Sequence, residues 1–213
     1  MKTTSYLVSE FFLLFILLPL SFTITYPVWL KAIFAGFGFL YILFVLKRVE
    51  RISFGIEKNI AWKAFLKRIG VTFLVVAIVT TVFVLISDSS ALFYVPLNKP
   101  ALFFIILFVY TFLSVWPQEI IYRTFFMNRY ARLFKSKYLL VFINGVLFSL
   151  AHLFFRNTLV SVLTFLGGLL FALTFLKYKS TLLVSIEHAL YGNWLFTVGM
   201  GQMLAFPGME GDI

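Results

Sequence analysis

Glu119 and Arg123 stand four residues apart in a stretch that otherwise reads as membrane-spanning. Residues 101–116 before them and 124–127 after them are almost wholly apolar. A charge placed mid-membrane costs roughly 2.5–3.5 kcal/mol on insertion scales, so an intramembrane acid and base are retained for a reason. Four-residue spacing puts both on one helical face, where they can pair. One reading is a structural ion pair that pins a helix. The other is a catalytic carboxylate held by its own arginine. Two more polar sites bear on the choice. His152 closes the run Phe148-Ser149-Leu150-Ala151-His152, and Glu187, His188, Tyr191 and Asn193 cluster in a later apolar stretch. These are the chain's two histidines, and both fall in predicted spans. Together the three sites hold a proton acceptor, neutral hydrogen-bond donors and an amide, the parts needed to activate water and stabilise an oxyanion.

The elements that must carry these groups are membrane helices. The 213 residues are 62% hydrophobic, 20% aromatic and 12% charged, whereas a soluble domain is about 45–50% apolar and about 25% charged. The fold class expected is all-α: a polytopic membrane helical bundle of about seven transmembrane helices, forming a single membrane domain over residues 1–213. The spans fall near 11–26, 28–46, 69–87, 101–127, 138–155, 158–176 and 180–206. The first run has no clear small-residue cleavage site and is followed at once by another apolar run, so it reads as a span and not a signal peptide. Pro117 should kink or loosen the fourth span beside Glu119, because proline removes a backbone hydrogen bond. Gly167 and Gly168 allow close helix approach in the sixth. There is no cysteine, hence no disulfide and no thiolate metal site.

The net charge of +10 does not point to nucleic acid. The basic residues fall in short clusters between apolar runs, which is topology information. With the N-terminus cytoplasmic, fourteen basic residues lie inside and three (Lys31, Lys99, Arg156) outside, and the acidic C-terminal tail falls outside. Residues 47–68 interleave seven basic residues with Ile52, Phe54, Ile56, Ile60, Trp62 and Phe65. That stretch reads as an interfacial amphipathic segment on anionic lipid. The compact, phenylalanine-rich chain suggests a bacterial inner membrane.

The motifs, in their order and spacing, resemble those of the CAAX-protease and bacteriocin-processing family (CPBP, also called Abi) of intramembrane glutamic endopeptidases. That family's pattern is Glu-Glu-x-x-x-Arg, then Phe-x-x-x-His, then a late His followed about four residues on by Asn. The matching residues are Gln118-Glu119-Ile120-Ile121-Tyr122-Arg123, then Phe148 to His152, then His188 with Asn193. The resemblance covers roughly residues 100–204, with residues 1–99 as N-terminal helices and basic loop. It implies proteolysis without a covalent intermediate, acting on membrane-anchored or prenylated CAAX-type substrates. Glu119 and His152 activate water, His188 and Asn193 donate to the oxyanion, and Arg123 fixes the carboxylate. Gln118, Glu187 and Tyr191 are supporting candidates. No cofactor is expected.

Two departures from the pattern stand out. The family's first acid is Gln118, and an amide accepts no proton at neutral pH. The residue four after His188 is Gly192, with Asn193 one place further; a glycine-induced irregularity would bring that amide round. Two other readings remain at this stage. One is a non-catalytic membrane scaffold or chaperone that keeps the pocket, favoured by Gln118. The other is a metal-dependent endopeptidase binding zinc through His152, His188 and Glu119 or Glu187, although no H-E-x-x-H pattern is present.

Overall fold

The computed structural model describes residues 1, 3–52 and 60–202. Among these the secondary structure is entirely helical. Six helices are long and apolar enough to cross a membrane: α1 (Thr4–Ser21), α2 (Val28–Val49), α3 (Trp62–Ser87), α5 (Pro100–Arg129), α6 (Lys137–Phe155) and α7 (Thr158–Tyr178). A short α4 (Tyr94–Asn98) precedes α5. The segment expected as the seventh span is helical, α8 (Thr181–Val198), but it is not among the helices apolar enough to cross a membrane. Its Glu187, His188 and Asn193 make it more polar than the other six. The chain is an all-helical, multi-pass integral membrane protein.

The helix ends explain several differences from the expected spans. Thr3 caps α1, accepting from the Tyr6 N–H, and the helix ends at Ser21, whose hydroxyl turns back to the Leu18 carbonyl. The first span is thereby shifted towards the N-terminus, and Glu10 lies inside it. Helix α3 begins seven residues before the expected start, so Lys63, Lys67 and Arg68 belong to its first turns. Helix α8 stops at Val198, well short of residue 206. There Gly199 takes φ +109, and a side chain at that position would collide with the Ala91 carbonyl. The flanks of the basic segment 47–68 are the ends of α2 and α3. Its middle, 53–59, lies outside the described residues, as does the acidic tail.

The chain divides into two compact units, Met1–Ile56 with Pro117–Thr181, and Glu57–Trp116 with Leu182–Ile213. In the first, α6 and α7 pack on small residues. A Cβ on Gly168 would stand 2.9 Å from the Gly145 Cα and 3.2 Å from the Phe148 Cβ, so the two backbones approach as closely as the paired glycines promised. Gly167 faces Phe171 of its own helix instead. Helix α1 anchors on the second half of α5 through aromatic rings. Phe15 meets Tyr122, Phe126 and Tyr130 edge-on at 5.2–5.7 Å between ring centres, the arrangement the ring quadrupole favours. In the second unit, α3 and α8 are joined by Phe73 against Trp194 and by the Trp194 indole N–H donating to the Thr80 hydroxyl at 3.0 Å.

Candidate active site

Pro117 lacks an N–H, and its ring crowds the preceding turn of an α-helix. Helix α5 answers with widened, π-helical turns on both sides, Tyr110–Val115 and Ile120–Phe125, around the short α-helical piece Trp116–Glu119. The loosening expected from Pro117 takes this form. Such widened turns are frequent at functional sites.

In the first unit Glu119 and Arg123 form the expected pair. Arg123 Nε lies 3.2 Å from Glu119 Oε2, and both side chains have zero exposure. The guanidinium sits 4.5 Å from the centre of the Phe148 ring and 5.4 Å from that of Phe171. Its Nη2 also donates to the Gly168 carbonyl in a long contact of 3.5 Å, which the close α6–α7 approach presents. A desolvated cation over an aromatic face is worth about 2 kcal/mol or more, so Arg123 is held by more than its carboxylate. The Asn144 amide, fully buried, donates to the Tyr122 carbonyl at 2.7 Å and holds the widened turn between Glu119 and Arg123. Asn144, Phe148 and His152 follow one another at four-residue intervals along α6.

His152 lies just past the regular part of α6, ahead of a final 3-10 turn Leu153–Phe155. Its Nδ1 is 2.7 Å from the Phe148 carbonyl. A carbonyl only accepts, so Nδ1 carries the hydrogen and Nε2 is the lone-pair nitrogen of the neutral ring. That tautomer suits a proton acceptor. Gln118 is half-buried at the start of this group.

In the second unit, Glu187 is fully buried and faces Arg68 at 3.9 Å. The Tyr191 hydroxyl donates to Glu187 at 3.1 Å and lies 3.4 Å from the Ile69 carbonyl, so Tyr191 is committed to this acid. His188 is 6% exposed. Its ring stands nearly perpendicular to that of Tyr110, 6.0 Å between centres. Helix α8 runs through Gly192 as an uninterrupted α-helix, so the irregularity expected there is absent. At 3.6 residues per turn, Asn193 lies about 140° round the helix from His188, and Gly192 about 40°. Asn193 Nδ2 donates to the Thr111 hydroxyl at 3.0 Å. Among the described residues no three His, Asp or Glu side chains are grouped to hold a metal ion.

Sequence reasoning passed over one buried polar cluster. Arg129, which falls in the basic cluster after the fourth expected span, is 1% exposed. Its Nε meets Glu10 Oε2 at 2.8 Å, its Nη1 meets Glu50 Oε1 at 2.6 Å, and its Nη2 donates to the Met1 carbonyl at 2.7 Å. Tyr130 donates to Glu10 at 2.9 Å, and Tyr41 does so as well. Burial, with the Glu10 charge beside it, pushes the Tyr130 hydroxyl well above the ordinary tyrosine range. The available signal was a lone acid at the edge of an apolar run.

A multi-pass helical membrane protein with a buried acid–arginine pair and two membrane histidines defines the class. Residues 100–195 match the family model described as Type II CAAX prenyl endopeptidase Rce1-like. That segment, a little under half the chain, is similar to the CAAX endopeptidase family whose motifs the sequence resembles. Neither curated proteins nor solved structures give a match.

Proposed function

We propose that this protein is an intramembrane endopeptidase that hydrolyses a peptide bond in membrane-anchored, prenylated CAAX-type proteins. The observation that carries the reading is the fully buried Glu119–Arg123 pair, clamped against Phe148 inside the segment matched to the family. Glu119, with His152 Nε2 as partner, takes a proton from water. The water oxygen attacks the scissile carbonyl carbon. His188 donates to the oxyanion that forms, and Asn193, on another face of α8, supports the donor side through its bond to Thr111. The proton then passes to the amide nitrogen as the C–N bond breaks, leaving a carboxylate and a free amine. Arg123 holds and orients the Glu119 carboxylate. Glu187, facing Arg68 and bonded by Tyr191, positions α8.

The domain is taken as one membrane unit of the inner membrane of a bacterium, with the N-terminus cytoplasmic. Within the first unit, helix ends assigned to one side by the charge bias do meet: Arg129 with Glu50, and Arg156 with the Thr23 carbonyl. The basic segment 47–68 is assigned to anionic lipid.

Gln118 favours a second reading, a scaffold that binds such substrates without cutting them. The experiment is cleavage of prenylated and unprenylated membrane-anchored peptides by wild type, Glu119→Ala and Gln118→Glu, with and without a chelator. Cleavage lost in Glu119→Ala and untouched by chelator supports the proposal. Cleavage gained only in Gln118→Glu supports the scaffold. Chelator-sensitive cleavage supports a zinc enzyme.

A further inference from the structure

The place on α8 where the family pattern puts its late asparagine is occupied here by Gly192, and the space that glycine leaves is filled from another helix. A Cβ built on Gly192 would fall inside the Tyr110 side chain, against its hydroxyl oxygen, Cζ and Cε1. No side chain fits at residue 192 while Tyr110 is in place. Tyr110 also faces His188, ring to ring at 6.0 Å and 83°. Its phenol therefore stands over the face of α8 that carries both His188 and residue 192, about 40° apart around the helix.

The ring is held firmly. Phe196 meets it edge-on at 4.9 Å, and it packs against the buried cluster of Val95, Ile106 and Phe196. Tyr110 opens the widened stretch Tyr110–Val115, and the next residue, Thr111, accepts the hydrogen bond from Asn193. Asn193 thereby ties the turn that carries Tyr110 to α8, which gives it a positioning role from its own face of the helix. A phenol is a competent oxyanion donor.

We infer that Tyr110 is a catalytic residue of this protein, its hydroxyl donating beside His188 to the oxyanion in place of the asparagine amide that Gly192 lacks. The inference rests on the proteolytic function proposed above, and it assigns part of the site to a residue outside all three motifs.

The test uses the full chain in lipid vesicles with a fluorogenic prenylated CAAX peptide, measuring kcat, KM and melting temperature for each variant. Tyr110→Phe keeps the ring and removes the donor. It should lower kcat by about 10²–10³-fold, with KM within about threefold and the melting temperature unchanged. Tyr110→Ala should lose activity similarly. The double variant Tyr110→Ala with Gly192→Asn clears the space and restores an amide at the family's position, and it should recover at least about tenfold in kcat over Tyr110→Ala. An active wild type whose kcat is unaffected by Tyr110→Phe overturns the inference and leaves the proteolytic reading standing. So does a rise in KM with kcat unchanged. A wild type inert on every peptide overturns the proteolytic reading, and Tyr110's catalytic role falls with it.

Discussion

The guanidinium of Arg123 lies 4.5 Å from the centre of the Phe148 ring while its Nε reaches the Glu119 carboxylate at 3.2 Å. One side chain thus joins the acid of the first motif to the phenylalanine of the second. Removing one partner of a buried ion pair strands the other and costs about 3–5 kcal/mol. Arg123→Ala should therefore lower the melting temperature markedly and abolish activity. Phe148→Leu keeps the ion pair and removes the aromatic face, at about 2 kcal/mol. Thermal unfolding in detergent checks both, and the expected order is Arg123→Ala far below Phe148→Leu, and Phe148→Leu below wild type.

The Gly145–Gly168 approach predicts a steep local sensitivity to size. Gly168→Ala places a methyl 2.9 Å from a backbone carbon, which α7 can relieve only by moving away from α6. Overpacking of this kind costs about 1–3 kcal/mol. It would also draw the Gly168 carbonyl from Arg123. Gly36→Ala is the control, since a Cβ there has nothing within 4 Å. Melting temperatures should separate the two cleanly, with Gly36→Ala at or slightly above wild type.

Glu10, Glu50 and Arg129 form a clasp in which the Glu10 carboxylate is satisfied by Arg129, Tyr130 and Tyr41, and Glu50 pairs with Arg129. Arg129→Leu should destabilise by about 3–5 kcal/mol, because it strands Glu10 in a buried site. Glu10→Gln should cost less, since Glu50 remains as the partner of Arg129. Neither residue belongs to the proposed chemistry. The activity per folded molecule should stay near wild type in both, measured as kcat alongside a melting curve.

Tyr130 gives the clasp a defined pH behaviour. A hydroxyl whose pKa is raised in the folded state contributes its stability fully below the unfolded value, about 10 for tyrosine, and loses it only as pH rises through the higher folded value. Tyr130→Phe should therefore lower the melting temperature by an equal amount at pH 6 and pH 9. A loss confined to the lower pH would contradict the assignment of Tyr130 as a protonated donor to Glu10.

Much of this arrangement was legible in the chain. Hydropathy placed the helices, because a membrane demands long apolar runs with internally satisfied backbones. The Glu119–Arg123 pair followed from helical periodicity, and the loosening near Pro117 from its missing N–H. Gly168 declared a close crossing, but the sequence did not name Gly145 as its partner. The clasp is hidden in the sequence because hydropathy starts the first span at Phe11, one residue past Glu10, and ends the fourth at Met127, two residues before Arg129. Tyr110 was invisible for a different reason. Spacing on one helix shows where a side chain is missing, and only the neighbouring helix shows what fills the gap. The expected irregularity at Gly192 was the wrong remedy for that gap, since α8 runs through it unbroken.

The most direct test of the central claim is cleavage of a prenylated CAAX peptide by Glu119→Gln beside wild type, both shown to be folded by their melting curves. The substitution keeps the size and shape of the side chain and removes its ability to accept a proton. The account predicts that wild type cleaves and that kcat falls in the variant by at least about 10²-fold, the usual contribution of a general base. Cleavage by folded Glu119→Gln at the wild-type rate would contradict it.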